Sequence, residues 1–254
     1  MDDNTGEDTS NGQQRPVSVL MLVPNMVTLV GLSFGLTAIR FAIEGSFATA
    51  VFLILMAVIA DGLDGLLARR LGASSLLGAQ LDSLSDFLCF GVAPVIVVYL
   101  LHLSEAGGFG WVAALLFAVA TSLRLARFNV MSGQADPGEV PTRHLVGVPA
   151  PGGALLALLP AFLALANVIE PHDAHVIVSI WLCCVSVLMI STLKTISPKA
   201  LKVPPRLIVV IFLSTIILIG LSFFRPWFLL IALDAVYLMT ILYALVQAKG
   251  RLFA

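Results

Sequence analysis

"IADGLDGLLARRLGASSLLGAQLDSLSDFLCFGVAP", residues 59–94, sets Asp61, Asp64, Asp82 and Asp86 inside an otherwise apolar run. Ionised carboxylates at membrane depth are costly to hold and default to function. Asp61 and Asp64 are three residues apart and Asp82 and Asp86 four apart, so on two helices each pair shares a face. Gly65 and Gly78 fall on the same faces as Asp61 and Asp82, where small residues let membrane helices approach. The spacing therefore predicts two adjacent helices that bring four carboxylates into one cluster.

The surroundings agree with a membrane setting. Of 254 residues, 59% are hydrophobic and 11% charged, against about 25% charged in ordinary soluble domains. A spanning helix needs roughly 20 apolar residues. About eight such stretches follow one another, near 25–44, 47–68, 79–102, 110–128, 150–168, 174–193, 206–223 and 226–247. The expected fold class is thus an all-α polytopic membrane protein. Residues 1–18, polar and acidic, lack the basic start and cleavage site of a signal peptide and read as a disordered cytoplasmic tail.

Lysines and arginines set the orientation, because basic loops stay in the cytoplasm. With the amino terminus inside, Arg15, Arg69, Arg70, Arg124, Arg127, Arg143, Lys194, Lys199, Lys202, Arg206, Lys249 and Arg251 fall on the cytoplasmic side, whereas Arg40 and Arg225 do not. Both termini and the aspartate cluster are expected at the cytoplasmic face of the cell membrane. Net charge is −1 with no basic tract, which leaves nucleic-acid binding without support.

Other features carry less chemistry. Cys89, Cys183 and Cys184 lie in apolar runs without metal or disulfide spacing and read as packing residues. The loop "MSGQADPGEVPTRHL", 131–145, has turn signals and could cover a site. "KTISPKALKVPPR", 194–206, reads as a topology determinant, and "EPHDAH", 170–175, reads as a surface loop despite His172 and His175. Arg40 is expected to snorkel outward. Asp234, in the middle of the last stretch, fits a polar helix contact or a dimer interface, with no partner evident from sequence.

Four carboxylates in a low dielectric repel one another and take up protons unless positive charge lies between them. Hard oxygen donors without histidine or thiolate select Mg²⁺, Mn²⁺ or Ca²⁺. Asp61 lies eight residues before Arg69, on the order of 12 Å below the headgroup boundary at the rise of a helix. That depth suits a lipid substrate with its chains in the bilayer. Mg²⁺ sites commonly combine carboxylates with substrate phosphate, and Arg69 adds a phosphate-binding fork. A divalent-cation transporter is the alternative from another class, but its expected second half-site has no echo downstream.

The stretch resembles the signature of the CDP-alcohol phosphatidyltransferase family at every fixed position: Asp61, Asp64, Gly65, Ala68, Arg69, Gly78, Asp82 and Asp86. "VPNMVTLVGLSFG" (23–35), "DSLSDFLCFGVAP" (82–94), "SLRLARFNV" (122–130) and "GVPAPGG" (147–153) further resemble its serine-accepting branch. The resemblance implies a six-helix catalytic domain over 19–200 followed by two additional helices over 201–254. It implies CDP-diacylglycerol as donor, L-serine as acceptor and a homodimer. Glycerol 3-phosphate, inositol phosphate or choline are the alternative acceptors within the family.

By the same resemblance, Asp61, Asp64 and Asp82 bind a first Mg²⁺ or Mn²⁺, Asp82 and Asp86 a second, and Asp86 is the general base. Gly65 would contact the nucleotide and Arg69 the donor phosphate. Asn25 and Thr28 match a position near the CDP moiety and Ser75 one where a polar contact is common; the alternative for each is to cap or turn a helix. Arg124, Arg127 and Asn129 are candidates for the acceptor, where a guanidinium engages a carboxylate bidentately; positive-inside anchoring explains the two arginines equally well.

Overall fold

A computed structural model of the chain describes residues 22–73, 75–133, 145–170, 174–191, 194–195, 220 and 224–247. Among the described residues there are seven helices: α1 (Val23–Ile43), α2 (Phe47–Leu71), α3 (Leu76–Leu103), α4 (Gly107–Gly133), α5 (Ala150–Leu165), α6 (His175–Ile190) and α7 (Pro226–Gln247). A two-residue antiparallel ladder joins β1 (Leu145–Val146) to β2 (Lys194–Thr195). Five helices, α1 to α4 and α7, are long and apolar enough to cross a membrane. The chain is an all-α polytopic membrane protein. α5 and α6, at 16 residues each, rise only about 24 Å. The expected tail over 1–18, the stretch 206–223 except Gly220, His172, and most of the loops at 131–145 and 194–206 lie outside the described residues.

α1 and α2 form an antiparallel pair, α3 packs against both, and α4 pairs with α6. α5 is the central post, touching α2, α3, α4, α6 and α7. Its buried surface is built largely from alanine, glycine and leucine. Membrane helices gain little from hydrophobicity against one another and associate through close van der Waals packing, which small residues permit. Pro160 inside α5 has no N–H, so the Leu156 carbonyl loses its helical donor. The Trp181 indole N–H on α6 donates to that carbonyl at 2.7 Å. The broken ladder is thereby satisfied inside the bundle, as an apolar solvent requires.

α3 changes pitch along its length. After Asp86 the regular helix widens into a π-turn over Phe87–Val92. This turn runs into Pro94, whose ring would clash with the Phe90 carbonyl in an unbroken α-helix. α2 ends at Gly72 in the left-handed conformation (φ 60°), its N–H on the Ala68 carbonyl, a conformation glycine adopts without penalty. Arg69 and Arg70 occupy that last turn, where cations complement the helix dipole.

The small-residue contacts differ from those expected. Gly65 does not bring α2 onto α3: a Cβ there would meet only the Arg69 guanidinium, at 3.5 Å. The close crossings are instead Gly31, where a Cβ would stand 3.3 Å from Ala60 Cβ, and Gly35, where it would stand 2.6 Å from Cys89 Sγ. Gly78 does sit at a crossing, but with α1: a Cβ would fall 2.8 Å from Asn25 Oδ1. α1 is therefore the element that clamps both aspartate helices. Arg40, for which the sequence offered no partner, is exposed and pairs with Glu44 at 3.0 Å, one turn later in sequence.

Candidate metal and nucleotide site

The two aspartate pairs project from α2 and α3 into one space. A carboxylate oxygen from each of Asp61, Asp64 and Asp82 lies within 4.8 Å of the other two. Asp86 completes the group, within hydrogen-bonding reach of Asp61 and within electrostatic range of Asp82 and Asp64. Asp64 is the most enclosed, only 5% exposed. Among the described residues no lysine or arginine forms an ion pair with any of the four. Such a group requires shared protons or a cation. Oxygen ligands of an Mg²⁺- or Ca²⁺-type ion stand about 4–5 Å apart across the metal, so three oxygens within 4.8 Å fit a divalent ion.

α1 supports this group from behind. Thr28 Oγ1 lies 2.6 Å from Asp64 Oδ2 and 3.1 Å from the Pro24 carbonyl. A hydroxyl has one proton to give, and the shorter, charge-assisted contact to the carboxylate is the stronger. Ser85 Oγ points to the Thr28 carbonyl at 3.4 Å and Cys89 Sγ to the Gly31 carbonyl at 3.3 Å. Residues one turn apart on α3 are thus fastened to α1, on a face adjoining that of Asp82 and Asp86.

The remaining sequence candidates divide into those gathered at this end of the bundle and those engaged elsewhere. Ser75 caps α3, its Oγ accepting from the Gly78 N–H at 3.0 Å. Asn25 Oδ1 lies on the same spot, against the bare face of Gly78. Gly65 lies on the open side of α2 with the exposed Arg69 side chain above it, leaving backbone that a flat ring could approach. Asn129 Nδ2 donates to Ser83 Oγ at 2.9 Å, beside Asp82. Arg127 Nη1 donates to the Ile190 carbonyl at 3.0 Å and so closes the end of α6. Arg124 is half-buried and within electrostatic range of Asp86.

Sequence reading missed the partner of Thr28 and the link from Asn129 to Ser83, both of which join residues distant in the chain. It also left Tyr237 unnoticed. This residue lies on α7, three positions after Asp234 and within electrostatic range of Arg124. An acid and a phenol at helical spacing within an apolar run were the available signal.

Residues 21–188 match the family model described as CDP-alcohol phosphatidyltransferase. A protein of Mycobacterium leprae named CDP-diacylglycerol–serine O-phosphatidyltransferase is 35% identical over 237 residues, covering 93% of this chain and 79% of that relative. A Mycobacterium tuberculosis protein of the same name is 37% identical over 187 residues, 74% of this chain and 65% of the relative. A third so named, from Helicobacter pylori, is 31% identical over 212 residues, covering 83% and 85% respectively.

Proposed function

Because the chain belongs to the CDP-alcohol phosphatidyltransferase family, we propose that it transfers the phosphatidyl group of CDP-diacylglycerol to the hydroxyl of L-serine, giving phosphatidylserine and CMP. The observation that carries this reading is the convergence of Asp61, Asp64, Asp82 and Asp86 beside the open face of Gly65, with no ion pair to any of them among the described residues. The names of its relatives support the donor and the acceptor.

Asp61, Asp64 and Asp82 would hold one divalent ion and Asp82 with Asp86 a second, Mg²⁺ or Mn²⁺. Such ions neutralise charge on the pyrophosphate oxygens and stabilise the departing CMP. The chain's own groups do the rest. Gly65 admits the cytidine to the helix backbone, and the Arg69 fork binds phosphate. Asn25 and Ser75, gathered at Gly78, line the nucleotide end. Thr28 fixes one oxygen of Asp64, leaving the other for the ion.

Asp86 takes the proton from the acceptor hydroxyl. The oxygen then forms its bond to the lipid-side phosphorus while the bond from that phosphorus to the bridging oxygen breaks, and the electron pair leaves on CMP. Arg124, half-buried and within electrostatic range of Asp86, is the arginine suited to the acceptor carboxylate, since Arg127 is engaged at the end of α6. The setting is the cytoplasmic membrane, with both termini and the site on the cytoplasmic side, in a homodimer.

The test is direct. Purified protein in lipid vesicles receives CDP-diacylglycerol, Mg²⁺ or Mn²⁺, and labelled serine beside glycerol 3-phosphate, inositol phosphate and choline. CMP release with the serine label in lipid is the expected result. Release that depends on another acceptor would overturn the assignment of serine.

A further inference from the structure

The part of α3 that carries Asp82 and Asp86 is held by little apolar packing. Over Leu76–Asp86 only Ser85 is buried, while Leu76, Leu77 and Leu84 are exposed. Polar ties hold the rotation of this segment instead. On one flank Ser85 Oγ reaches the Thr28 carbonyl of α1 at 3.4 Å. On the other, Ser83 Oγ accepts from Asn129 Nδ2 of α4 at 2.9 Å. A hydroxyl has one proton to give, and that of Ser83 goes to the Ala79 carbonyl one turn back, at 2.9 Å, nearer than Asn129 Oδ1 at 3.2 Å. The serine therefore receives the Asn129 amide as an acceptor.

The two ties straddle the carboxylate face. Successive helix residues turn by about 100°, so Ser83 lies about 100° from Asp82 and about 60° from Asp86, and Ser85 about 60° and 100° from them on the opposite flank. The α4 end of the Ser83 tie is itself anchored. Two residues before Asn129, Arg127 Nη1 donates to the Ile190 carbonyl at the end of α6 at 3.0 Å. Asn129 thus joins the aspartate face to a post fixed on α6. Losing either tie frees α3 to roll, and functional groups must be held within about 0.5 Å or 10–20° of their working geometry.

We infer that Asn129 and Ser83 are positioning residues, whose hydrogen bond sets the rotation of α3 and so aims Asp82 and Asp86 into the metal cluster. This rests on the metal-site reading above, in which Asp82 serves both ions. It gives Asn129 a role other than contact with the acceptor: the amide acts on the cation through α3. The two roles differ in what they change. Groups that orient metal ligands are worth about 10–100-fold in metal affinity or activity, whereas a side chain on the acceptor changes the KM of serine.

Full-length wild type, Ser83→Ala, Asn129→Ala and the double variant are titrated with Mn²⁺ in mixed micelles, the free ion being read by electron paramagnetic resonance. The same proteins are assayed in vesicles for kcat and for the KM of serine. Each single variant is expected to weaken Mn²⁺ binding about tenfold, with the serine KM changed less than about twofold. The double variant should match either single one, because both substitutions delete the same bond and their effects do not add. Ser83→Ala removes one oxygen in favour of the best helix former, which keeps the test open if Asn129→Ala fails to fold. Unchanged Mn²⁺ affinity in Ser83→Ala overturns the inference, as do losses that multiply in the double variant. A serine KM that rises in Asn129→Ala while Mn²⁺ binding stays intact also overturns it and returns Asn129 to the acceptor. If wild type binds no Mn²⁺, the metal reading falls and the inference with it; if wild type binds Mn²⁺ but releases no CMP with serine, the acceptor assignment alone falls.

Discussion

Asp86 is the last residue of the regular turn of α3 before the helix widens, and it reaches Asp61 across the cluster. Replacing it by asparagine keeps shape but removes the base. Turnover of Asp86→Asn should fall by about 10²–10⁴-fold, the usual contribution of a positioned base, with CDP-diacylglycerol binding retained in equilibrium titration; near-normal turnover would refute the role. Thr28→Val deletes the hydroxyl 2.6 Å from Asp64 without changing side-chain volume much. Groups that orient metal ligands in this way are worth about 10–100-fold in metal affinity, so the Mg²⁺ concentration for half-maximal activity should rise by that factor; an unchanged cation titration would count against it. At this scale the aspartates were legible because helical spacing alone gathers each pair. The partner of Thr28 was not, since it lies 36 residues away and depends on how α1 crosses α2.

The helices carry the site through their crossings. α1 meets α3 at Gly35, where any side chain would collide with Cys89 Sγ and approach Cys89 Cα at 3.3 Å. Gly35→Val should destabilise the protein by about 1–3 kcal/mol, as overpacking does, measured by reversible unfolding in mixed micelles. Gly108→Ala, with nothing within 4 Å of the new methyl, is the neutral control; equal losses in the two variants would sink the close-crossing account. Most helix positions were readable from apolar run lengths, and the ends shifted by only a few residues: the expected 79–102 became Leu76–Leu103. The π-turn after Asp86 was not readable, because Pro94 announces a disturbance without saying whether the helix kinks, breaks or widens. The pairing of Trp181 with the carbonyl freed by Pro160 was hidden for a similar reason: proline marks the orphaned acceptor but not its donor.

Taken as a whole, the bundle has one end rich in arginine and in the proposed chemistry, with Arg69 and Arg70 closing α2 a few turns from Asp61. If that end faces the cytoplasm, Arg70→Cys in a cysteine-free background should react with a membrane-impermeant maleimide in inverted vesicles and not in intact cells; labelling from outside would reverse the orientation. The multi-pass architecture was legible from composition, whereas the placing of Arg124 within electrostatic range of Tyr237 was not, because no spacing rule relates positions 124 and 237. The short helix α6 exposes Ile177, Ile180 and Val187 at the outside of the bundle. At about 24 Å it falls short of a hydrocarbon layer about 30 Å thick, so lipid around it must thin or its ends must draw water and headgroups inward. A host bilayer of longer-chain lipids works against that dimple, and the enzyme's rate should decline as vesicle acyl chains lengthen, making membrane thickness itself a control on how fast new headgroups are made.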